Sequence, residues 1–366
     1  MAKKSTDVHE HPRLLVIGVH APYNKTNDID SYYDEFLTLV RTNQVAYTDT
    51  IFFKLRTVEP GTFVTKGHLE KIKQICEEKK IDEVLFSEPL TPQQERNLSN
   101  YLDVRIFDRT QLILEIFEKA AVSAEGKTQV AIAMLEHQKS RLAGKGKFLA
   151  QQSGILGLRG GFGETMKERE RRYLDQRIIS LKKELKNLEQ VRETQRKRRI
   201  KSQIPLVCLV GYTNAGKSTI LNALTKSDVL AEDKLFATLD TTTRELYING
   251  KKKGLISDTV GFIQLLPPHL IDAFKSTLHE LQYADLLLNV VDISDPSWKS
   301  HIDVVLQILH ELDIDKDMLF VFNKIDKVNI SPELIEQMKR YQPHVAVSAL
   351  NKKGLAPLID YIDSVL

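Results

Sequence analysis

The chain has 366 residues, 42% hydrophobic and 28% charged, with a net charge of +3 and two cysteines. That length suits two or three domains, each with enough apolar residues to build a core. Two cysteines exclude a disulfide framework, no stretch reaches the roughly 20 apolar residues of a bilayer span, and the polar first 13 residues lack the apolar core of a signal peptide. The cytoplasm is the expected compartment, with partial membrane association as the lesser reading.

Residues 13–122 alternate short apolar runs, at 14–19, 51–55, 84–87 and 104–107, with helix-like stretches at 30–41, 68–80, 92–102 and 111–122. This alternation predicts an N-terminal α/β domain with a mostly parallel sheet. His68 and His137 have no partners at metal-ligand or catalytic spacing and are read as structural.

Residues 123–202 read differently. A helix over 128–142 leads into a glycine-rich loop, 144–163, that holds seven of the seventeen glycines. Residues 164–201 contain no Gly or Pro and predict one long helix, about 57 Å at 1.5 Å per residue. Leu174, Ile178, Leu181, Leu185 and Leu188 are spaced 4, 3, 4, 3, a coiled-coil-like seam. The expected architecture is a helical hairpin with a glycine-rich tip. From Lys139 to Lys201 there are nineteen basic and seven acidic residues, a net +12 in a chain whose total is +3. A basic middle between acidic flanks points to a polyanion partner, and an acid-free loop on a basic helix pair favours nucleic acid.

After Pro205, residues 203–366 return to alternating strand and helix signals, with strands at 206–210, 244–248, 254–257, 286–291, 319–322 and 345–348. Gly211-Tyr212-Thr213-Asn214-Ala215-Gly216-Lys217-Ser218 matches G-x-x-x-x-G-K-[ST] between a strand and a helix. Such a loop cradles phosphates with backbone N–H groups, brings Lys217 to the β- and γ-phosphates and offers the Ser218 hydroxyl to Mg²⁺. Asp258-Thr259-Val260-Gly261 follows a strand. Its carboxylate can hold Mg²⁺ through water, and the Gly261 N–H can sense the γ-phosphate. Asn323-Lys324-Ile325-Asp326 and Ser348-Ala349-Leu350 follow two further strands. Asp326 can accept from guanine N1–H and its 2-amino group, donors that adenine lacks, and the Ala349 N–H is a candidate for guanine O6. The conjunction predicts a P-loop GTPase domain that binds GTP or GDP with Mg²⁺. Any of Thr238, Thr241, Thr242 and Thr243 could serve as the switch threonine on the metal.

Phe262 stands where many GTPases place a water-orienting glutamine, so the catalytic residue is left unassigned and slow turnover by the free protein is expected. Asn214 is a candidate K⁺ ligand or a turn residue. Two functions follow from these readings. One is a GTPase that binds nucleic acid through the basic hairpin. The other is a GTP-dependent switch that binds a protein partner through the seam of the hairpin, with Leu181 and Leu185 at its centre. Peripheral membrane binding by the basic helix is weaker, since no Trp lies there.

The phosphate loop with Thr219, the block Phe236-Ala237-Thr238-Leu239-Asp240, and 258–262 resemble the HflX family of translation-factor-related GTPases. Residues 90–96, Arg109, 125–127, 129–130 and Gly163-Glu164-Thr165 are similar to that family's upstream regions. The resemblance spans nearly the whole chain. It implies association with the 50S ribosomal subunit and its rRNA, and splitting of 70S ribosomes under stress. It also implies Mg²⁺ ligands at Ser218 and Thr238, and nucleotide contacts at 211–218, 236–240, 258–261, 323–326 and 348–350. The loop here reads Arg159-Gly160-Gly161-Phe162-Gly163-Glu164 where the family usually has Arg-Gly-Pro-Gly-Glu. Many members carry a further C-terminal domain, and contacts made by that domain are not assumed for this chain.

Overall fold

The computed structural model describes residues 12–24, 26, 28–142, 162–225, 235–236, 242–265 and 278–366. The chain divides into two compact units, Met1–Ile116 with Met134–Arg177, and Phe117–Ala133 with Ile178–Leu366.

In the first unit, β1 (Leu14–His20), β2 (Asp49–Lys54), β3 (Glu83–Phe86) and β4 (Arg105–Asp108) form a sheet in the order β2-β1-β3-β4. All its pairings are parallel. The strand β1 is apolar from Leu14 to Val19, as a strand covered on both faces must be. Helices α1 (Ile29–Thr42), α2 (Lys66–Lys79), α3 (Pro92–Leu102) and α4 (Arg109–Ala120) follow the strands. Leu15, Ile17 and Val19 pack with Leu69 and Ile72 of α2 and Leu98 and Leu102 of α3. Asp28 caps α1 by accepting the Ser31 N–H, and Thr91 with Gln94 forms a capping box on α3, where Pro92 takes the first turn.

Helix α5 (Ala124–Leu142) starts four residues before the sequence expectation, because the Ser123 hydroxyl accepts the Gly126 N–H and supplies the cap. The long helix is present as α6 (Phe162–Lys201). Ion pairs run between α5 and α6, Lys139 to Asp175 within the first unit and Arg192 to Glu125 within the second. Their opposed sequence order is that of an antiparallel helix pair. Leu174, Ile178 and Leu181 are 2%, 7% and 8% exposed, while Leu185 and Leu188 are half-buried. The upper part of the seam is therefore used inside the chain, which removes Leu181 from the surface offered to a partner. The glycine-rich stretch lies outside the described residues as far as 161.

The second unit holds a six-stranded sheet in the order β10-β9-β8-β5-β7-β6, with β5 (Leu206–Gly211), β6 (Thr242–Ile248), β7 (Lys251–Asp258), β8 (Leu286–Asp292), β9 (Met318–Asn323) and β10 (His344–Ala346). Only β6 with β7 is antiparallel. Their turn is Asn249-Gly250 with φ of 50° and 77°, the left-handed pair that an Asn-Gly hairpin favours. Alternate residues serve two faces. Val207, Leu209, Leu288 and Val321 meet α7 (Lys217–Leu224) and α10 (Ala356–Val365). Cys208, Val210 and Leu287 meet Val305, Ile308 and Leu309 of α8 (Trp298–Glu311). Farther along that face Val291 and Phe322 meet Trp298, Ile302 and Met338, the last from α9 (Pro332–Met338).

Asn289 interrupts β8. It is fully buried, and among the described residues no group hydrogen-bonds to either polar atom of its amide. An amide in that position costs stability that a similarly shaped apolar side chain does not. Asn289→Leu is expected to stabilise the protein by about 1–2 kcal/mol. Chemical denaturation that finds the variant equal to or weaker than the parent would refute this.

Candidate nucleotide site

The parallel strands of the second unit all present their carboxyl ends at one edge of the sheet, the edge where open α/β sheets hold ligands. Four of the loops leaving that edge carry the residues singled out by sequence.

The loop after β5 turns sharply into α7. Gly211 has φ 145° and Gly216 has φ 98°, and both positions are closed to a side chain. A Cβ on Gly211 would lie 2.3 Å from the Val290 carbonyl, and one on Gly216 would lie 2.3 Å from Asn323 Nδ2. Between them Asn214 is exposed at φ 60°, a conformation asparagine tolerates better than most residues. Ala215 is buried in the core. Lys217 is 6% exposed and donates to the carbonyls of Gly211 (3.1 Å) and Tyr212 (2.7 Å). Burial pushes its ammonium down to about 8, against the opposing pull of the Asp258 carboxylate. A lysine held in this way gains most from an anion that restores its charge balance.

Asp258 ends β7 and is fully buried, and it accepts the Ser218 hydroxyl at 2.7 Å. A carboxylate and a hydroxyl so placed are hard oxygen donors of the kind Mg²⁺ takes beside phosphates and water. No group of three or more His, Cys, Asp or Glu side chains suited to a metal occurs among the described residues. The Thr259 hydroxyl donates to the Leu209 carbonyl at 2.7 Å, and Val260 is buried, so the Asp258–Gly261 segment is anchored onto β5. Gly261 abuts the phosphate loop, with a built Cβ 3.0 Å from Lys217 Nζ. Phe262, at 2% exposed, points into the core with Cys208, Leu281 and Leu287. Its side chain is therefore unavailable to the reaction for a reason beyond its chemistry: it faces the wrong way.

Asn323, at the end of β9, ties three loops together. Its Nδ2 donates to the Ala215 carbonyl at 2.9 Å, and its Oδ1 accepts the Ala349 N–H at 3.1 Å. The N–H that the sequence offers to a base is thus engaged by Asn323 here. Lys324 takes φ 64° and pairs with Asp292 at 2.7 Å. Ile325 is half-buried and Asp326 exposed, and Asp326 accepts the hydroxyl of the buried Ser348. Leu350, 76% exposed, stands at the rim. Phe236 turns its ring onto Phe117, with centroids 4.7 Å apart, and is 3% exposed. Ala237, Thr238, Leu239, Asp240 and Thr241 lie outside the described residues, so Ser218 is the described member of the expected metal pair.

Sequence reasoning missed Asp292, His301 and Gln264. Asp292 closes a strand, as Asp258 does, a signal that could have marked it. His301 stacks on Tyr212 and carries no signal beyond its place on a helix. The first unit contains a cavity of about 560 Å³ lined by Arg105, Met134, His137 and Arg141 among others. No residue of the phosphate or base loops lines it.

Three families match successive stretches: "GTP-binding GTPase N-terminal" over residues 30–118, "GTP-binding GTPase Middle Region" over 120–199 and "50S ribosome-binding GTPase" over 206–324. Among similar curated proteins, GTPase HflX of Lacrimispora saccharolytica is 43% identical, covering 97% of this chain and 83% of that protein. GTPase HflX of Escherichia coli is 39% identical over 93% of this chain and 80% of its own length. A crystal structure of SsGBP in complex with GDP superposes with a TM-score of 0.52 at 25% identity, covering 96% of this chain and 98% of that one.

Proposed function

This chain belongs to the HflX family of GTPases, and from that premise we propose that it associates with the 50S ribosomal subunit and splits 70S ribosomes in the cytoplasm, using GTP binding to favour the tightly bound state and hydrolysis to release it. It is an enzyme that converts GTP to GDP and phosphate, built on an α/β P-loop fold.

In this reading the loop 211–218 holds the triphosphate, with Lys217 at the β- and γ-phosphates. Ser218 and Thr238 would hold Mg²⁺, with Asp258 acting through water, and the ion would supply positive charge against the phosphates. The Gly261 N–H reads the γ-phosphate. Phe236, Ala237, Leu239, Asp240, Thr259 and Val260 complete the nucleotide contacts. Asn323, Lys324, Ile325, Asp326, Ser348, Ala349 and Leu350 form the guanine pocket. The observation that carries the guanine assignment is the Asp326 carboxylate, oriented by the Ser348 hydroxyl at the mouth of the loops that Asn323 joins.

Hydrolysis needs a group other than Phe262. Asn214, exposed beside the phosphates, is proposed as a K⁺ ligand, with K⁺ supplying positive charge near the transferring phosphate. Turnover is then expected to be several-fold faster in KCl than in NaCl at equal ionic strength; equal rates remove the cation.

The partner is argued from charge. Residues 139–201 carry a net +12, and the described parts of the segment, 139–142 and 162–201, belong to α5 and α6. Phosphate contacts make such binding fall steeply with salt. Co-sedimentation with 50S and 70S particles in GTP, GDP and a non-hydrolysable analogue tests this reading. Binding should be tightest with the analogue and should weaken by at least about tenfold between 50 and 200 mM salt. Failure to sediment with either particle in any nucleotide state would refute the ribosomal function and leave the GTPase intact.

A further inference from the structure

Tyr212 follows the first glycine of the phosphate loop, yet its side chain leaves the nucleotide side. It is 7% exposed, and its ring stacks on His301 of α8 with centroids 3.8 Å apart and 9° between the planes. His301 is itself 8% exposed. The Tyr212 hydroxyl accepts the backbone N–H of Gln264 at 2.7 Å. Two backbone bonds run alongside it, Thr213 N–H to the Phe262 carbonyl at 2.8 Å and Phe262 N–H to the Gly211 carbonyl at 3.2 Å. The side chains of Phe262 and Ile263 are buried as well.

Together these hold residues 261–264 against the phosphate loop. Gly261 is close enough that a Cβ there would fall 2.8 Å from Thr213 Cγ2. The two backbone bonds are available to any sequence. The third bond depends on a tyrosine at 212, whose hydroxyl reaches Gln264 because a flat stack on a buried imidazole fixes its ring.

Resting on the GTPase reading above, we propose that Tyr212 is a positioning residue for GTP hydrolysis: its hydroxyl, oriented by His301, holds the backbone at Gln264 and so keeps Gly261 at the γ-phosphate end of Lys217. It acts through Gly261. Because GDP lacks the γ-phosphate that Gly261 meets, the effect falls on turnover and spares GDP binding. Uniform binding would move KM, whereas an interaction that matters only as the γ-phosphate departs moves kcat.

The test is Tyr212→Phe in the full chain, which removes the acceptor and leaves the ring on His301. Its kcat is expected to fall about tenfold, the equivalent of one hydrogen bond, with KM for GTP within about twofold of the parent. The dissociation rate of fluorescent GDP is expected to stay at the parental value, and the melting temperature to fall only by the loss of one hydrogen bond. His301→Ala, which frees the ring, is expected to lower kcat in the same way. Combined with Tyr212→Phe it should slow turnover no further, since both act on one hydrogen bond. Parental kcat in Tyr212→Phe overturns the proposal. So does a lower kcat that comes with faster GDP loss and a melting point lowered by more than one hydrogen bond, which marks a merely structural tyrosine. A parent protein no faster than Lys217→Ala overturns the GTPase reading itself, and the proposal with it.

Discussion

Asp326→Asn is expected to weaken GTP binding by about two to three orders of magnitude while leaving the fold and the phosphate loop unchanged. The Asp326 side chain accepts the Ser348 hydroxyl through one oxygen, and in the proposed pocket the carboxylate is the acceptor for the base. Asparagine keeps an oxygen for Ser348, so its amide NH₂ takes the second position. A donor then confronts guanine N1–H and the 2-amino group, which are donors too. Two charge-assisted hydrogen bonds are lost, each worth about 1.5–3 kcal/mol. Xanthine, which carries a carbonyl in place of the 2-amino group, becomes the better ligand. Competition binding with GTP, ATP and xanthosine triphosphate measures this. GTP retained at parental affinity would mean that the base is read elsewhere.

Arg109→Met is expected to destabilise the first unit by about 3–5 kcal/mol. Arg109 is fully buried at the carboxyl end of β4, pairs with Glu35 and lies over the Tyr32 ring with its guanidinium carbon 4.8 Å from the centroid. Glu88 belongs to the same buried cluster, accepts the Tyr23 hydroxyl at 2.9 Å, and has its carboxyl pushed up by burial and held back in part by Arg109. Removing the arginine leaves two carboxylates with less compensation. The pH dependence has a defined sign. Glu88 binds its proton more tightly folded than unfolded, so its contribution is fully present below the unfolded pKa and is lost as pH rises through the folded one. Without Arg109 the folded value climbs further, and the penalty is largest near pH 7 and smaller at pH 5. The double variant Arg109→Met with Glu35→Leu is expected to recover part of the loss, because it removes the unmatched charge along with its partner. Denaturation curves at both pH values decide this, and equal penalties at pH 5 and pH 7 would exclude the Glu88 coupling.

The candidate nucleotide site is largely legible in the sequence, and the reason is local. A phosphate loop, an Asp at the end of β7 and an Asp after β9 are each encoded within a few residues, and the apolar runs of β5 and β9 mark those strands as buried. The alternation of such runs with helical stretches makes the two sheets equally legible. Element boundaries are less so. Helix α5 begins early because Ser123 caps it. Arg109, which the sequence marks only by family resemblance, opens α4 as a buried charge.

The leucine seam shows a different limit. Its spacing is plain in the sequence, but spacing is the same whether a stripe packs within its own chain or on a partner. Only the burial of Leu174, Ile178 and Leu181 distinguishes the two.

By itself the sequence determined which chemistry the chain carries: phosphate and guanine recognition, and a basic middle region, since residue type and short spacing specify both. The tertiary structure alone decided where those groups aim. Phe262 turns into the core, Asn323 spans to Ala215 and Ala349, and Tyr212 stacks on His301, each through contacts between residues remote in the chain. Such contacts arise when strands meet at one edge of a sheet, and no local pattern in a single sequence encodes which distant side chain will be waiting there.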